Sequence, residues 1–288
     1  MKKIKYFIQF LVLVLLSGIF KILGLRISLI MSGYIFTFIG PLFRSNKISE
    51  LNLSNVFKDT DKLKKKMIIK KMWKNYGKIF AEYMFIKQFR YNPAFSKKII
   101  SNNNNILDEI KRDSEPVIFI SGHFNNFELM AMEIEKSGIN LAAIYRPLNN
   151  IFLNPLMVNI RKKYICKNQI QKGISGTKNL LKLFKKGTSI ALMIDQRVSE
   201  GINCNFFGKK ALTTTIPAQF VKKFNAKIVP VYIERLKNDE FKINFHDPII
   251  FESNLNIETI TLKLNQELEK MILNNPDQWI WTHNRWKV

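Results

Sequence analysis

Uncharged apolar residues run from Tyr6 to Phe20, and a second such stretch runs from Ile27 to Phe43 before closing on Arg44. Lys21 and Arg26 fall between them. A helix that crosses a bilayer needs about 20 apolar residues, so the first run reaches that length when its flanking lysines snorkel. It is preceded by Met1-Lys2-Lys3-Ile4-Lys5 and shows no small-x-small cleavage site near Ser17-Gly18. Residues 1–26 are therefore read as an uncleaved membrane anchor with its basic flanks on the cytoplasmic side. The second run, with Gly33, Gly40 and Pro41, reads as a core or membrane-surface helix, and 45–60 as a polar loop. Over 61–90 the apolar positions Met67-Ile68-Ile69, Met72-Trp73, Tyr76 and Ile79-Phe80 form a helical stripe among many lysines.

From residue 116 the pattern changes to alternation. Apolar runs at 116–120, 140–145, 188–194, 227–233 and 241–246 read as strands. Helical periods at 127–137, 152–163, 175–186, 215–224 and 257–273 lie between and after them. This order predicts an α/β fold with a mixed, largely parallel central sheet flanked by helices, behind an N-terminal hydrophobic anchor helix. Residues 27–288 read as one domain, mostly helical over 27–115 and α/β over 116–288.

Composition changes that picture in one respect. The formal charge of the 288-residue chain is +24, which predicts attraction to anionic partners such as phospholipid surfaces, acidic proteins or nucleic acid. Lysine and asparagine are abundant throughout and arginine is not, a pattern that codon bias alone can also produce. The two cysteines, Cys166 and Cys204, have neither metal-type nor redox-type spacing. There is no Gly-rich phosphate loop and no nucleic-acid-binding motif.

The sharpest chemical signal is Gly122-His123-Phe124-Asn125-Asn126-Phe127-Glu128, where an apolar strand ends and a helix begins. A histidine in the turn and a glutamate in the first helical turn are expected to meet, with Asn125 or Asn126 as N-cap. A carboxylate on one imidazole nitrogen fixes the tautomer, and the other nitrogen then takes a proton from a hydroxyl. A lone His near a Glu is more often a surface pair or a satisfied core histidine, but the strand, the glycine and the asparagine pair count against that here. Two further strands end in polar residues: Tyr145-Arg146-Pro147 and Ile194-Asp195-Gln196. Such placements converge on one rim in an open α/β sheet. The Arg146 fork suits a phosphate or a developing oxyanion, and equally an ordinary surface position. Phe206-Phe207 fits an acyl channel or plain core. The Trp-rich end, Trp279 to Trp286 around His283 and Arg285, suits a membrane interface or a structural plug.

Taken in order, these blocks resemble the bacterial lipid A biosynthesis lauroyl/myristoyl acyltransferase family, the late acyltransferases within the wider lysophospholipid/glycerolipid acyltransferase superfamily. The stretches that carry the likeness are Gly122 to Glu128, Tyr145-Arg146-Pro147, Asp195-Gln196, Phe206-Phe207-Gly208 with Ala211 and Thr213, Trp281 to Trp286, and Glu82. The wider superfamily generally has Asp where this chain has Glu128, and Asn284 replaces the first residue of the basic pair common after the C-terminal His. The resemblance implies transfer of a fatty acyl chain from acyl carrier protein to a hydroxyl of a Kdo-bearing lipid A precursor, at the cytoplasmic face of a bacterial inner membrane. It implies a His123–Glu128 general-base pair, substrate contacts from Arg146, Asp195, Gln196 and Asn126, anionic inner-membrane lipid as a partner, and neither metal nor cofactor. Rival readings are a lysophospholipid or other glycolipid acyltransferase and a non-enzymatic basic protein that binds membrane or nucleic acid.

Overall fold

The structure, a computed structural model, describes residues 2–287. The two N-terminal apolar runs form one helix, α1 (Lys2–Phe43), broken at Gly24, whose φ of 75° lies in a region open to glycine. Before the break, residues 2–23 extend roughly 33 Å at the α-helical rise. The helix is long and apolar enough to cross a membrane, of the kind that anchors a protein there. Its first half is not free of the body. Tyr6, Phe10, Leu13, Ser17 and Phe20 recur at helical spacing and are among the shielded positions. Phe7 and Phe10 rest on Phe152, and Phe20 on Phe80. The opposite face, with Ile4, Ile8, Leu11 and Leu15, is exposed.

After the break α1 packs on α3 (Lys62–Tyr83). Small residues make that approach possible: a Cβ on Gly77 would fall 2.1 Å from Ser32 O, and Ser32 Oγ donates to Gly77 O at 2.7 Å. Residues 45–60, expected as loop, hold a helix, α2 (Asn46–Val56). Its polar sequence hides a buried use: Asn52 Nδ2 donates to the carbonyls of Trp281 and His283 at 2.8 and 2.7 Å. Two short helices follow, α4 (Ile86–Tyr91) and α5 (Pro93–Ser96).

The α/β part begins with β1 (Ile99–Asn102), α6 (Asn105–Asp113) and β2 (Ile118–Ser121). It continues through α7 (Glu128–Lys136), β3 (Leu141–Tyr145), α8 (Leu153–Tyr164), β4 (Asn168–Gln171), α9 (Ile174–Phe184) and β5 (Ser189–Met193). A hairpin of β6 (Ile202–Phe206) and β7 (Lys209–Thr213) leads to α10 (Ile216–Phe224), β8 (Ile228–Arg235), β9 (Phe241–Phe245) and α11 (Ile257–Asn274). Seven strands form one sheet in the order β1-β9-β8-β2-β5-β3-β4, and the hairpin stands apart. Every neighbouring pair is parallel except β8–β9. The central strands read as unbroken apolar runs because helices cover both faces: all four residues of β2 are buried, as are the first six of β8.

All five expected strands and five expected helices of this region are present, within a few residues. The strands that escaped the sequence reading are β1 and β4 at the sheet edges and the β6–β7 hairpin. Ile99-Ile100-Ser101-Asn102 and Asn168-Gln169-Ile170-Gln171 are short, the first half polar and the second largely so, as edge strands tolerate.

Candidate active site

Parallel pairing of β2 and β5 fixes the register Ile118↔Ile190 through Ser121↔Met193. Continued two residues past each strand, that register sets His123 opposite Asp195. The contact is made: His123 Nδ1 lies 2.7 Å from Asp195 Oδ1, and the His123 backbone N–H donates to Oδ2 at 2.8 Å. The Trp279 indole N–H donates to the same Oδ2 at 2.9 Å. Asp195 is fully buried, while the His123 side chain keeps 24% of its surface exposed. One carboxylate therefore receives three donors on its two oxygens.

The turn that carries His123 is clasped by the C-terminal segment. Asn125 takes a left-handed φ of 42°. Its backbone N–H donates to Gln278 O, and its side chain to Ile233 O and Gln278 Oε1. Gln278 Oε1 also accepts from Arg235 N. Neither asparagine caps α7; Phe127 occupies the cap position with no side-chain bond, because both asparagine side chains are spent on tertiary contacts. Asn126 is fully buried behind the turn and donates to Glu82 Oε2 at 3.3 Å. It does not line the cavity described below.

Glu128 opens α7 and turns away from the imidazole. It accepts from Arg161 of α8, at 2.7 Å from Nε and 2.5 Å from Nη2. No hydrogen bond joins Glu128 to His123 among the described residues. The edge of Phe127 stands on the His123 ring instead, with centroids 4.8 Å apart. Five residues of turn and helix start place the carboxylate on the α8 side, where two guanidinium nitrogens converge on its Oε1. Nothing in the sequence separated Arg161 from its neighbours Lys162 and Lys163; only its ion pair with Glu128 shows it.

His123, Glu128 and Arg161 line a cavity of about 490 Å³. Ala131, Ala143, Ile144, Ala191 and Leu192 supply apolar wall, and Arg146, Lys172 and Arg197 supply positive charge. Gln196 also lines it, with Nε2 3.5 Å from His123 Nδ1. The cavity sits outside the carboxyl ends of β2, β5 and β3, where open α/β sheets bind ligands. Arg146, Gln196, Glu128 and His123 are thus brought to one place, with Asp195 one layer behind. Phe206 is absent from that wall; it is fully buried against Trp279, Trp286 and the Arg285 guanidinium. The Trp-rich end is a plug: Trp281 and Arg285 are fully buried, and Arg285 donates to Leu212 O and Thr213 Oγ1 at 2.7 Å each. His283 Nε2 accepts from the Arg197 backbone N–H at 2.9 Å.

The electrostatics follow from these contacts. Burial alone disfavours the imidazolium of His123, but Asp195 outweighs it by charge and hydrogen bond, and Glu128 adds to the same sign; the pKa is raised. Burial would raise Asp195, yet the charge and hydrogen bonds of His123, with the Trp279 donor, hold it below the usual carboxylate range. His283 is pushed down to about 4, first by burial, so the two histidines that feel the Asp195 charge are set apart.

The sequence profile of the family described as "Bacterial lipid A biosynthesis acyltransferase" matches residues 1–288. The chain belongs to that family. It is an enzyme of lipid A acylation, which removes the non-enzymatic reading. Curated relatives are distant. The lipid A biosynthesis myristoyltransferase of Escherichia coli (strain K12) is 22% identical over 250 residues, spanning 85% of this chain and 76% of that protein. The lipid A biosynthesis acyltransferase 2 of Shigella flexneri is 21% identical over 248 residues, spanning 84% and 78%. In this acyltransferase the His123 turn and the C-terminal segment at Gln278 and Trp279 are neighbours in space.

Proposed function

We propose that the acyltransferase moves a fatty acyl chain from acyl carrier protein to a hydroxyl of a Kdo-bearing lipid A precursor, with His123 as general base and no covalent enzyme intermediate. The observation that carries this reading is the state of the His123 ring. Its Nδ1 is held by a buried carboxylate, its Nε2 has no protein hydrogen-bond partner among the described residues, and the ring lines a cavity with an apolar wall and a positive rim. A thioester chain suits the wall; an anionic glycolipid and an acidic carrier suit the rim.

In the proposed step the acceptor hydroxyl gives its proton to His123 Nε2 as its oxygen bonds to the thioester carbon. The C–S bond then breaks, and the imidazolium returns the proton to the departing sulfur. Charge builds on the carbonyl oxygen in between, and Arg146 at the rim is the group assigned to it or to an acceptor phosphate. Gln196 lies beside the base and shapes the floor. Glu128 acts at a distance: it favours the imidazolium through space and holds Arg161 in the cavity wall. The long apolar helix keeps this site at the cytoplasmic face of the inner membrane, where anionic lipid meets the basic face of α3.

The test uses the purified full-length enzyme in detergent, with acyl carrier protein thioester and Kdo-bearing precursor. His123→Ala should lose at least ~100-fold in turnover while remaining folded, because Asp195 keeps its backbone and Trp279 donors. Near-normal turnover in that variant would remove His123 from the chemistry. Activity on a lysophospholipid and none on the Kdo-bearing precursor would reassign the acceptor.

A further inference from the structure

We infer that Asp195, rather than Glu128, is the positioning residue that sets the tautomer and orientation of His123, with Trp279 locking Asp195 in place. This rests on the reading of His123 as the base and names its partner. The sequence spacing pointed to Glu128 because it lies nearby in the chain. The sheet makes a different neighbour. Asp195 follows β5, β5 lies directly beside β2, and the shared register carries both residues to the same height.

The geometry is that of an orienter. The Oδ1 atom receives the imidazole Nδ1 at 2.7 Å, and Oδ2 receives the His123 backbone N–H and the Trp279 indole N–H at 2.8 and 2.9 Å. Holding both the ring and the backbone of one residue fixes the ring's direction as well as its position. An ionised carboxylate only accepts, so Nδ1 must carry hydrogen and Nε2 must be left basic toward the cavity. Glu128 makes no such contact: Arg161 supplies both of its side-chain hydrogen bonds, on Oε1. Trp279 is 2% exposed, and the chain around it is pinned by the Phe124–Trp279 bridge. The C-terminal plug therefore has a reason to reach the active site: it supplies the donor that keeps Asp195 from turning.

Asp195→Asn separates this idea from a merely structural role. The amide keeps the size of the carboxylate and still accepts at one atom. Its NH₂ group would face Nδ1 and favour the opposite tautomer, with hydrogen on Nε2, which is useless as a base; the same change in a serine-protease triad costs ~10⁴-fold. The experiment is paired kinetics and long-range ¹H–¹⁵N NMR of full-length, histidine-labelled enzyme in detergent. With three histidines in the chain, His123→Ala identifies the His123 signals by their loss. Asp195→Asn should lower kcat ~100-fold or more with acceptor KM within about threefold, and move the His123 hydrogen from Nδ1 to Nε2. Glu128→Gln should leave the hydrogen on Nδ1. The inference is overturned if Asp195→Asn keeps the wild-type tautomer and rate while His123→Ala is inactive, or if Glu128→Gln alone flips the tautomer. An active His123→Ala enzyme would instead sink the reading of His123 as base. Should Asp195→Asn fail to fold, Trp279→Phe carries the test, because it removes the indole donor while keeping an aromatic ring in place. A several-fold fall in kcat with shifted His123 signals supports the lock, and unchanged kcat with unchanged signals refutes it.

Discussion

Glu82 and Asp195 are both buried carboxylates, placed on either side of the turn that runs from His123 to Asn126, and they meet different cations. The Glu82 carboxylate is 1% exposed and faces Arg235, itself 7% exposed, which also donates to Asn75. That pair is sealed: Asn126 closes one side, and Arg235 stacks on Phe241 with its guanidinium carbon 4.7 Å from the ring centre. Asp195 faces an imidazole that opens on the cavity. Loss of solvation dominates at Glu82 and pushes its pKa up against the pull of Arg235. At Asp195 the three donors win and the pKa falls. A guanidinium cannot release its proton, so the first pair ties α3 to β8 and holds Asn126 behind the turn. An imidazole can, so the second is equipped to work. Burial of a carboxylate does not mark a site; the titratability and exposure of its partner do.

The sharpest way to break that contrast is to exchange the readouts. His123→Ala should cost turnover by ~10²–10⁴-fold and lower the unfolding temperature less than Glu82→Ala does, since Asp195 keeps two of its three donors. Glu82→Ala should do the reverse. It strands Arg235 in the interior, which typically costs about 3–5 kcal/mol of stability, while enzyme that remains folded should keep much of its turnover. If Glu82→Ala melts like wild type but is inactive, the two carboxylates have been assigned the wrong way round.

Acid sharpens the picture further. His123 works as a base only when neutral, and its folded pKa is raised. The acid limb of the kcat/KM profile should therefore lie above the ordinary histidine value, with activity falling as pH drops through it. Removing the Asp195 charge disfavours the imidazolium, so in Asp195→Asn the residual activity should show a limb displaced to lower pH. A limb at the same pH in both enzymes would show that Asp195 does not bias that proton.

A smaller effect is expected at the rim. Arg146 is exposed at the mouth of the cavity, and a point charge does not reproduce its planar fork. Arg146→Lys should lower kcat/KM by about tenfold, the worth of one charge-assisted contact; wild-type kinetics would remove it from the site. The smallest effect belongs to long-range charge. With acceptor saturating in neutral micelles, turnover at low acyl carrier protein should fall a few-fold as salt brings the Debye length below ~10 Å. A flat response would leave the +24 charge without a role in donor docking.

Much was legible in the chain. The α/β alternation, the strand before His123, the polar ends of β3 and β5 and the long apolar N-terminus all follow from local pattern, because strand and helix periods are written residue by residue. So do the residue types of the site: His123, Arg146 and Gln196 do meet at one cavity. What the sequence left unreadable was partnership. Asn125 and Asn126 look like caps and serve as tertiary bolts. Residues 45–60 look like a loop, yet α2 folds there because Asn52 finds two carbonyls from the far end of the chain.

Glu128 and Asp195 state the division most clearly. Sequence by itself determined that a histidine stands at a strand end with a carboxylate close by in the chain. Only the tertiary structure decided which carboxylate it meets, since strand order in the sheet places β5 beside β2 although two other strands and three helices separate them in sequence. Hydrogen bonds reach about 3 Å, and at that range adjacency in the sheet outranks adjacency in the chain.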